Sequence, residues 1–178
     1  MTAGTPAFPP YPFADQSGPD DPRLEFCFEI KIRFARHDSI AAMPSGAGRG
    51  FVYIEDGVIS GPRLNGTVRP MSGGDWALFR PDGVLATDAR YMLTADDGTN
   101  ILMHNRGYLW GRLPDSISRM QDWMFRDGPE VPFEEFYLRA APSFETETGP
   151  HDWLMRHIFI GIGQRQREGN TIRYYALL

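Results

Sequence analysis

The chain has 178 residues, of which 42% are hydrophobic and 13% aromatic, and a formal net charge of -5. One domain with a sizeable core fits that length without disulfides or a structural metal. The negative sign excludes generic attraction to nucleic acid or an anionic membrane, both of which need a positive field.

Residues 1–22, MTAGTPAFPPYPFADQSGPDDP, are proline-rich, have no amphipathic period and predict an extended arm. Their Phe8, Tyr11 and Phe13 suit packing against a neighbouring surface, including another protomer. Residues 23–178 form the expected domain. In LEFCFEIKIRF, Leu24, Phe26, Phe28, Ile30, Ile32 and Phe34 alternate with Glu25, Cys27, Glu29, Lys31 and Arg33, which predicts a strand with one buried face. The lone Cys27 has no internal disulfide partner and reads as a small buried hydrophobe.

A glycine-rich loop at 44–50 leads to FVYIEDGVISG, where Asp56-Gly57 predicts a hairpin turn. GAGRG within that loop lacks the strand and long helix of a dinucleotide fingerprint. Further strands are expected near 64–70, 75–80, 84–95, 99–106, 134–141, 153–163 and 171–177, with a turn at Asp96-Asp97-Gly98. One helix interrupts them: Asp115 or Ser116 caps it, Ile117, Met120 and Met124 share a face with Trp123 beside them, and Gly128-Pro129 stops it. With 19 glycines and 15 prolines, the pattern predicts an all-β fold, an antiparallel barrel or sandwich.

Within GGDWALFRPDG, turn chemistry accounts for the glycine pair and for Pro81-Asp82-Gly83, but not for Asp75 beside Trp76. In the strand at 84–95, Leu85, Ala89, Tyr91 and Leu93 face one way and Asp88, Arg90, Met92 and Thr94 the other. Asp88 and Arg90 are either an exposed ion pair or part of a cavity wall. FYLRAAPSFET poses the same alternative for Tyr137 and Arg139, set against Phe136, Leu138 and Ala140. His37, His104, His151 and His157 form no metal-ligand motif, and neither a nucleophile elbow nor a phosphate-cradling loop is present.

Taken in order, GPRLNGTV, GGDW, RPDG, DARYMLTADDG, NRG, FYLRAAPSFET and WLMRHIFIGIG resemble the bacterial and fungal family known as domain of unknown function 3237, formerly uncharacterised protein family 0311. The resemblance runs from about Leu24 to the C-terminus. It implies a closed antiparallel β-barrel similar to calycins and allene-oxide cyclases, whose lumen takes an apolar molecule. Motif positions that turns do not explain include Asp75, Trp76, Arg90, Tyr137 and Arg139.

Charged groups beside apolar barrel positions must be paired, solvated or in use. The resulting expectation is a lyase or isomerase that works by acid–base chemistry, without cofactor or metal, on a small, mostly aromatic molecule. Asp75 moves a proton, Tyr137 or His104 is the partner acid, and Arg90 and Arg139 stabilise developing negative charge. Trp76, Asp88, Asn105, Tyr91 and Glu145 are the candidate substrate contacts. The alternative is a barrel that binds a hydrophobic small molecule without chemistry. A cytoplasmic homo-oligomer, dimer or trimer, is expected, with no signal peptide, membrane span or nucleic-acid partner.

Overall fold

The structure, a computed structural model, describes residues 21–178. The expected arm lies outside the described residues except for Asp21 and Pro22. Ten strands form one antiparallel sheet: β1 (Leu24–Ile40), β2 (Gly48–Ser60), β3 (Gly66–Val68), β4 (Gly74–Asp75), β5 (Leu78–Phe79), β6 (Leu85–Ala95), β7 (Asn100–Gly111), β8 (Phe136–Thr146), β9 (Phe159–Gln166) and β10 (Gly169–Leu177). The short β3, β4 and β5 share one position between β2 and β6, and β1 pairs with both β2 and β10. The sheet therefore closes on itself as an eight-stave barrel, and the predicted fold class holds. No helix of the described residues is long and apolar enough to cross a membrane.

The strand expected from 153 begins only at Phe159, after a 3-10 turn at Asp152–Met155, and two other local predictions fail for reasons of strand packing. Asp56-Gly57 is not a turn but lies inside β2, opposite Arg33 and Ile32 of β1. A side chain at Gly57 would place its Cβ 2.6 Å from the Lys31 carbonyl oxygen, so the glycine serves close strand approach. The reversal falls instead at residues 41–47, where Gly46 takes φ +78. The alternation in β1 also breaks: the register with β10 shifts between Phe26 and Phe28, with buried Cys27 between them. This bulge turns Phe26 outward against Tyr175 (centroids 5.6 Å apart), while Phe28 enters the barrel beside Tyr174 (5.3 Å).

One end of the barrel is a packed plug. Phe28, Phe144, Phe159, Leu93, Ile101, Met103 and Leu154 fill it, with edge-to-face rings at Phe28–Phe144 and Phe144–Phe159.

The helix α1 (Ser116–Phe125) covers the other end. Its Met120 and Trp123 pack on Leu109, Val131, Phe136 and Leu138, with Ile117 and Met124 beside them. Asp115 takes the N-cap position without a side-chain cap bond, and the helix closes through left-handed Asp127 (φ 55) just before the expected Gly128. Arg119 ties α1 to the turn before β8 by forking onto Glu135, at 2.5 and 3.4 Å. Arg119→Ala is therefore expected to cost about 1 kcal/mol and to lower the thermal midpoint by roughly 2–4 °C. A calorimetric scan with an unchanged midpoint would show that this pair does not hold the cap.

Candidate functional site

Small residues thin the barrel wall between plug and cap: Ala89, Gly107, Ala140, Gly161 and Gly163 all belong to the inward-facing set. Gly161 leaves room for Tyr174, whose ring would lie 2.9 Å from an added Cβ. Below this level Tyr91 and Tyr174 bond hydroxyl to hydroxyl, and Asn105 donates its amide N–H to the Tyr174 oxygen at 3.1 Å. Burial pushes both phenols up, so they stay protonated at neutral pH. The buried Asn105 Oδ1 has no partner among the described residues.

Above them lies a cavity of about 90 Å³, walled by Phe34, Val52, Ala77, Leu85, Leu109 and Leu138 and roofed by Ile117, Met120, Gln121 and Met124. Asp75, Thr87, Arg165 and Asn170 bring polar atoms to it. Asp75 reaches the lumen because β4 pairs it with inward-facing Ala89 on β6 and with Val52 on β2. The Asp88 backbone N–H donates to Asp75 Oδ1 at 2.8 Å, whereas Oδ2 accepts no hydrogen bond among the described residues.

Apolar walls in place of bulk water desolvate the Asp75 carboxylate and push its pKa up to about 6. The Asp88 amide and the positive charge of Arg165 hold it down only in part, and the Asp88 carboxylate opposes them. The side chain keeps some accessible surface, and it lines the cavity, so solvent access and desolvation are compatible here.

Arg165 enters from β9, paired with Asn170 of β10. Its Nε–H meets the Met124 thioether sulfur at 2.9 Å, Nη1 donates to Asn170 Oδ1 at 3.0 Å, and the guanidinium lies 4.8 Å from the Phe34 ring centroid. Burial lowers its pKa to about 10, with Asp75 countering, so it remains a cation at neutral pH. Phe34, Val52, Met124 and Arg165 line both this cavity and an open groove of about 620 Å³, which also has Arg33, Arg36, His37, Glu55, Arg167 and Glu168 on its walls. Those four shared residues form the neck between lumen and mouth.

The predicted single site divides between the two faces of the wall. Asp75, Tyr91 and Asn105 point inward. Trp76, Asp88, Arg90, His104, Tyr137, Arg139 and Glu145 do not, because each is adjacent along its strand to an inward residue and side chains alternate. Trp76 is 45% exposed and packs outside on Phe51, 4.5 Å between centroids. Asp88 and His104 meet at 2.5 Å on the outer wall, Arg90 and Glu145 are exposed, and Tyr137 stacks on Trp110 at 5.1 Å. Arg139 lies over Tyr137 and Phe133 at the edge of an outer groove. The expectation that Arg90, Arg139, Tyr137 and His104 share a lumen with Asp75 is corrected accordingly.

Arg165 and Met124 line the cavity and Tyr174 lies below it, and the sequence motifs single out none of the three in that place. A signal for Arg165 is nonetheless present: in FIGIGQRQ it continues the inward phase of Phe159, Gly161 and Gly163, beyond the predicted strand end at 163. Among the described residues no group of three or more His, Cys, Asp or Glu side chains could hold a metal ion.

A family model described as "Protein of unknown function (DUF3237)" matches residues 22–177. A UPF0311 protein from Clostridium acetobutylicum is 33% identical over 129 residues, covering 72% of this chain and 77% of that one. The crystal structure of a conserved protein of unknown function from Rhodopseudomonas palustris superposes with a TM-score of 0.78 at 26% identity, covering 89% and 99% of the two chains. An enzyme from Penicillium herquei shares the fold at 21% identity and a TM-score of 0.64, over 92% of this chain and 99% of that one. The chain thus belongs to the DUF3237 family.

Proposed function

We propose that the barrel is a lyase or isomerase that binds a small, mostly aromatic molecule in its lumen and moves a proton with Asp75. The observation that carries this reading is the Asp75 carboxyl on an apolar cavity wall, with one oxygen free of donors among the described residues and a pKa near 6. A group poised there accepts and returns protons at neutral pH, as general acid–base catalysis requires.

In the proposed cycle, Asp75 takes a proton from a substrate C–H or O–H and leaves the electron pair on the substrate. That pair drives bond cleavage or ring closure within the molecule. The proton then returns to another substrate atom or to the leaving group, so the balance needs no oxidant. Tyr91 lies below the cavity, bonded to Tyr174, and senses the Asp75 charge, whereas Tyr137 and His104 lie on the outer wall and drop out as the partner acid. An engineered cavity of about 150 Å³ takes benzene, so an aromatic ring needs more than the 90 Å³ present here. The proposed binding therefore requires unbranched Met120 and Met124, which have several rotatable bonds, to turn aside when the ligand enters. That the same barrel carries an enzyme in P. herquei agrees with catalysis on this fold.

Wild-type protein and Asp75→Asn should be incubated separately with a small-molecule extract of the native host and the extracts compared by mass spectrometry. One compound is expected to be isomerised or split by the wild type only. Binding of the same compound by both proteins with no conversion would instead identify a non-catalytic carrier.

A further inference from the structure

We propose that the lumen selects a small monocarboxylate, with the ligand's carboxylate seated on the Arg165 guanidinium at the neck. The inference rests on the lumen being the binding site, as proposed above, and adds the charge of what binds.

The mouth holds several arginines, and their partners set Arg165 apart. Arg33 is forked onto Asp56, Arg36 lies 3.5 Å from Asp38, and Arg167 lies 2.7 Å from Asp127. Arg165 has no carboxylate within 4.0 Å among the described residues, and its two protein acceptors are a thioether sulfur and one amide oxygen. A thioether is a weak acceptor, and a guanidinium carries five N–H donors. Nη2, with two of those donors, has no partner among the described residues.

Arg165 is half-buried and lines the open mouth as well as the lumen, so its spare donors lie within reach of an anion that enters. The planar fork suits a carboxylate, which it can hold through two parallel bonds. Asp75 does not fill that role, since no Asp75–Arg165 contact falls within ion-pair distance even though each senses the other's charge. The two groups line the same cavity. A ligand anchored on Arg165 by its carboxylate therefore presents its other atoms toward Asp75. Phe34, stacked on the guanidinium, offers the ring face of the ligand an aromatic neighbour.

Benzoate and benzamide are matched in shape and differ in charge, so titration calorimetry with this pair at fixed salt reads the selection directly. The wild type is expected to bind benzoate about tenfold or more tightly than benzamide, as befits a charge-assisted bidentate pair. Arg165→Met should abolish the preference and Arg165→Lys should weaken it, because a lysine keeps the charge without the fork. Arg167→Met, at the outer mouth, should retain it. Equal binding of the two probes by the wild type, binding of neither, or a preference that survives in folded Arg165→Met overturns the proposal. Asp75→Asn separates the two ideas: if it keeps the benzoate preference while wild-type extracts show no conversion, the anion site stands and the chemistry falls. Conversion of an uncharged compound by the wild type, with no benzoate preference, leaves the chemistry standing and removes the anion site.

Discussion

Asp75→Asn is expected to reduce turnover of the lumen substrate by about 10²–10⁴-fold, the usual contribution of a positioned general acid or base. The substitution keeps the shape of the side chain and the oxygen that receives the Asp88 N–H. Binding should therefore persist while the chemical step fails. A wild-type rate in the variant would remove Asp75 from the mechanism.

The same substitution carries a signature in stability. The folded carboxyl titrates near 6, against about 3.9 in an unfolded chain. Between those values the folded protein holds a proton that the unfolded chain has released. Wild-type stability therefore declines as pH rises from about 4 to about 6 and is level above that. The asparagine side chain has no such proton, so the variant should gain about 2–3 kcal/mol on the wild type across this window. Denaturant unfolding of both proteins at pH 4 and pH 7.5 measures the change. A constant gap between them would contradict the desolvated carboxyl.

The second large effect lies in the plug. Phe28 is fully buried against Phe144, Phe159 and Tyr174. Phe28→Ala removes the ring from a space whose walls are strands and cannot collapse, at a cost of about 3–5 kcal/mol. The thermal midpoint should fall by on the order of 10 °C. Because Tyr174 rests on Phe28 and bonds to Tyr91, the damage should also reach the floor of the site. A loss below 1 kcal/mol would mean that the plug is not the stabilising half of the barrel.

The two-residue period makes the barrel legible from the residues alone. It places Leu85, Ala89, Tyr91 and Leu93 on one face of β6, and Phe136, Leu138 and Ala140 on one face of β8, as the structure does. Periodicity does not say which of two faces closes inward, and polar faces invite a functional reading because polar residues carry chemistry. That is why Asp88, Arg90, His104, Tyr137 and Arg139 group with Asp75 in sequence although their strands place them outside. Adjacent residues in a flat strand cannot share a face, so an inward Asp75 already implies an outward Trp76.

Other differences are local. The Cys27 bulge and the glycine at 57 depend on the path of a neighbouring strand, which no single segment encodes. Arg165 is hard to see because two glycines, poor strand formers, precede it in β9 and obscure where that strand ends. The β-hairpin at Asp96-Asp97-Gly98, by contrast, is legible because its glycine takes φ +89.

The proposed proton transfer in the lumen depends on one carboxyl that titrates near pH 6 rather than near 4. Carbon-detected NMR titration of the Asp75 side chain, assigned by comparison with Asp75→Asn, measures this directly. A midpoint near 6, moving higher in Arg165→Met as the neighbouring cation is lost, is the predicted result. A midpoint near 4 that ignores Arg165 would place Asp75 in ordinary solvent and contradict its role as the proton carrier.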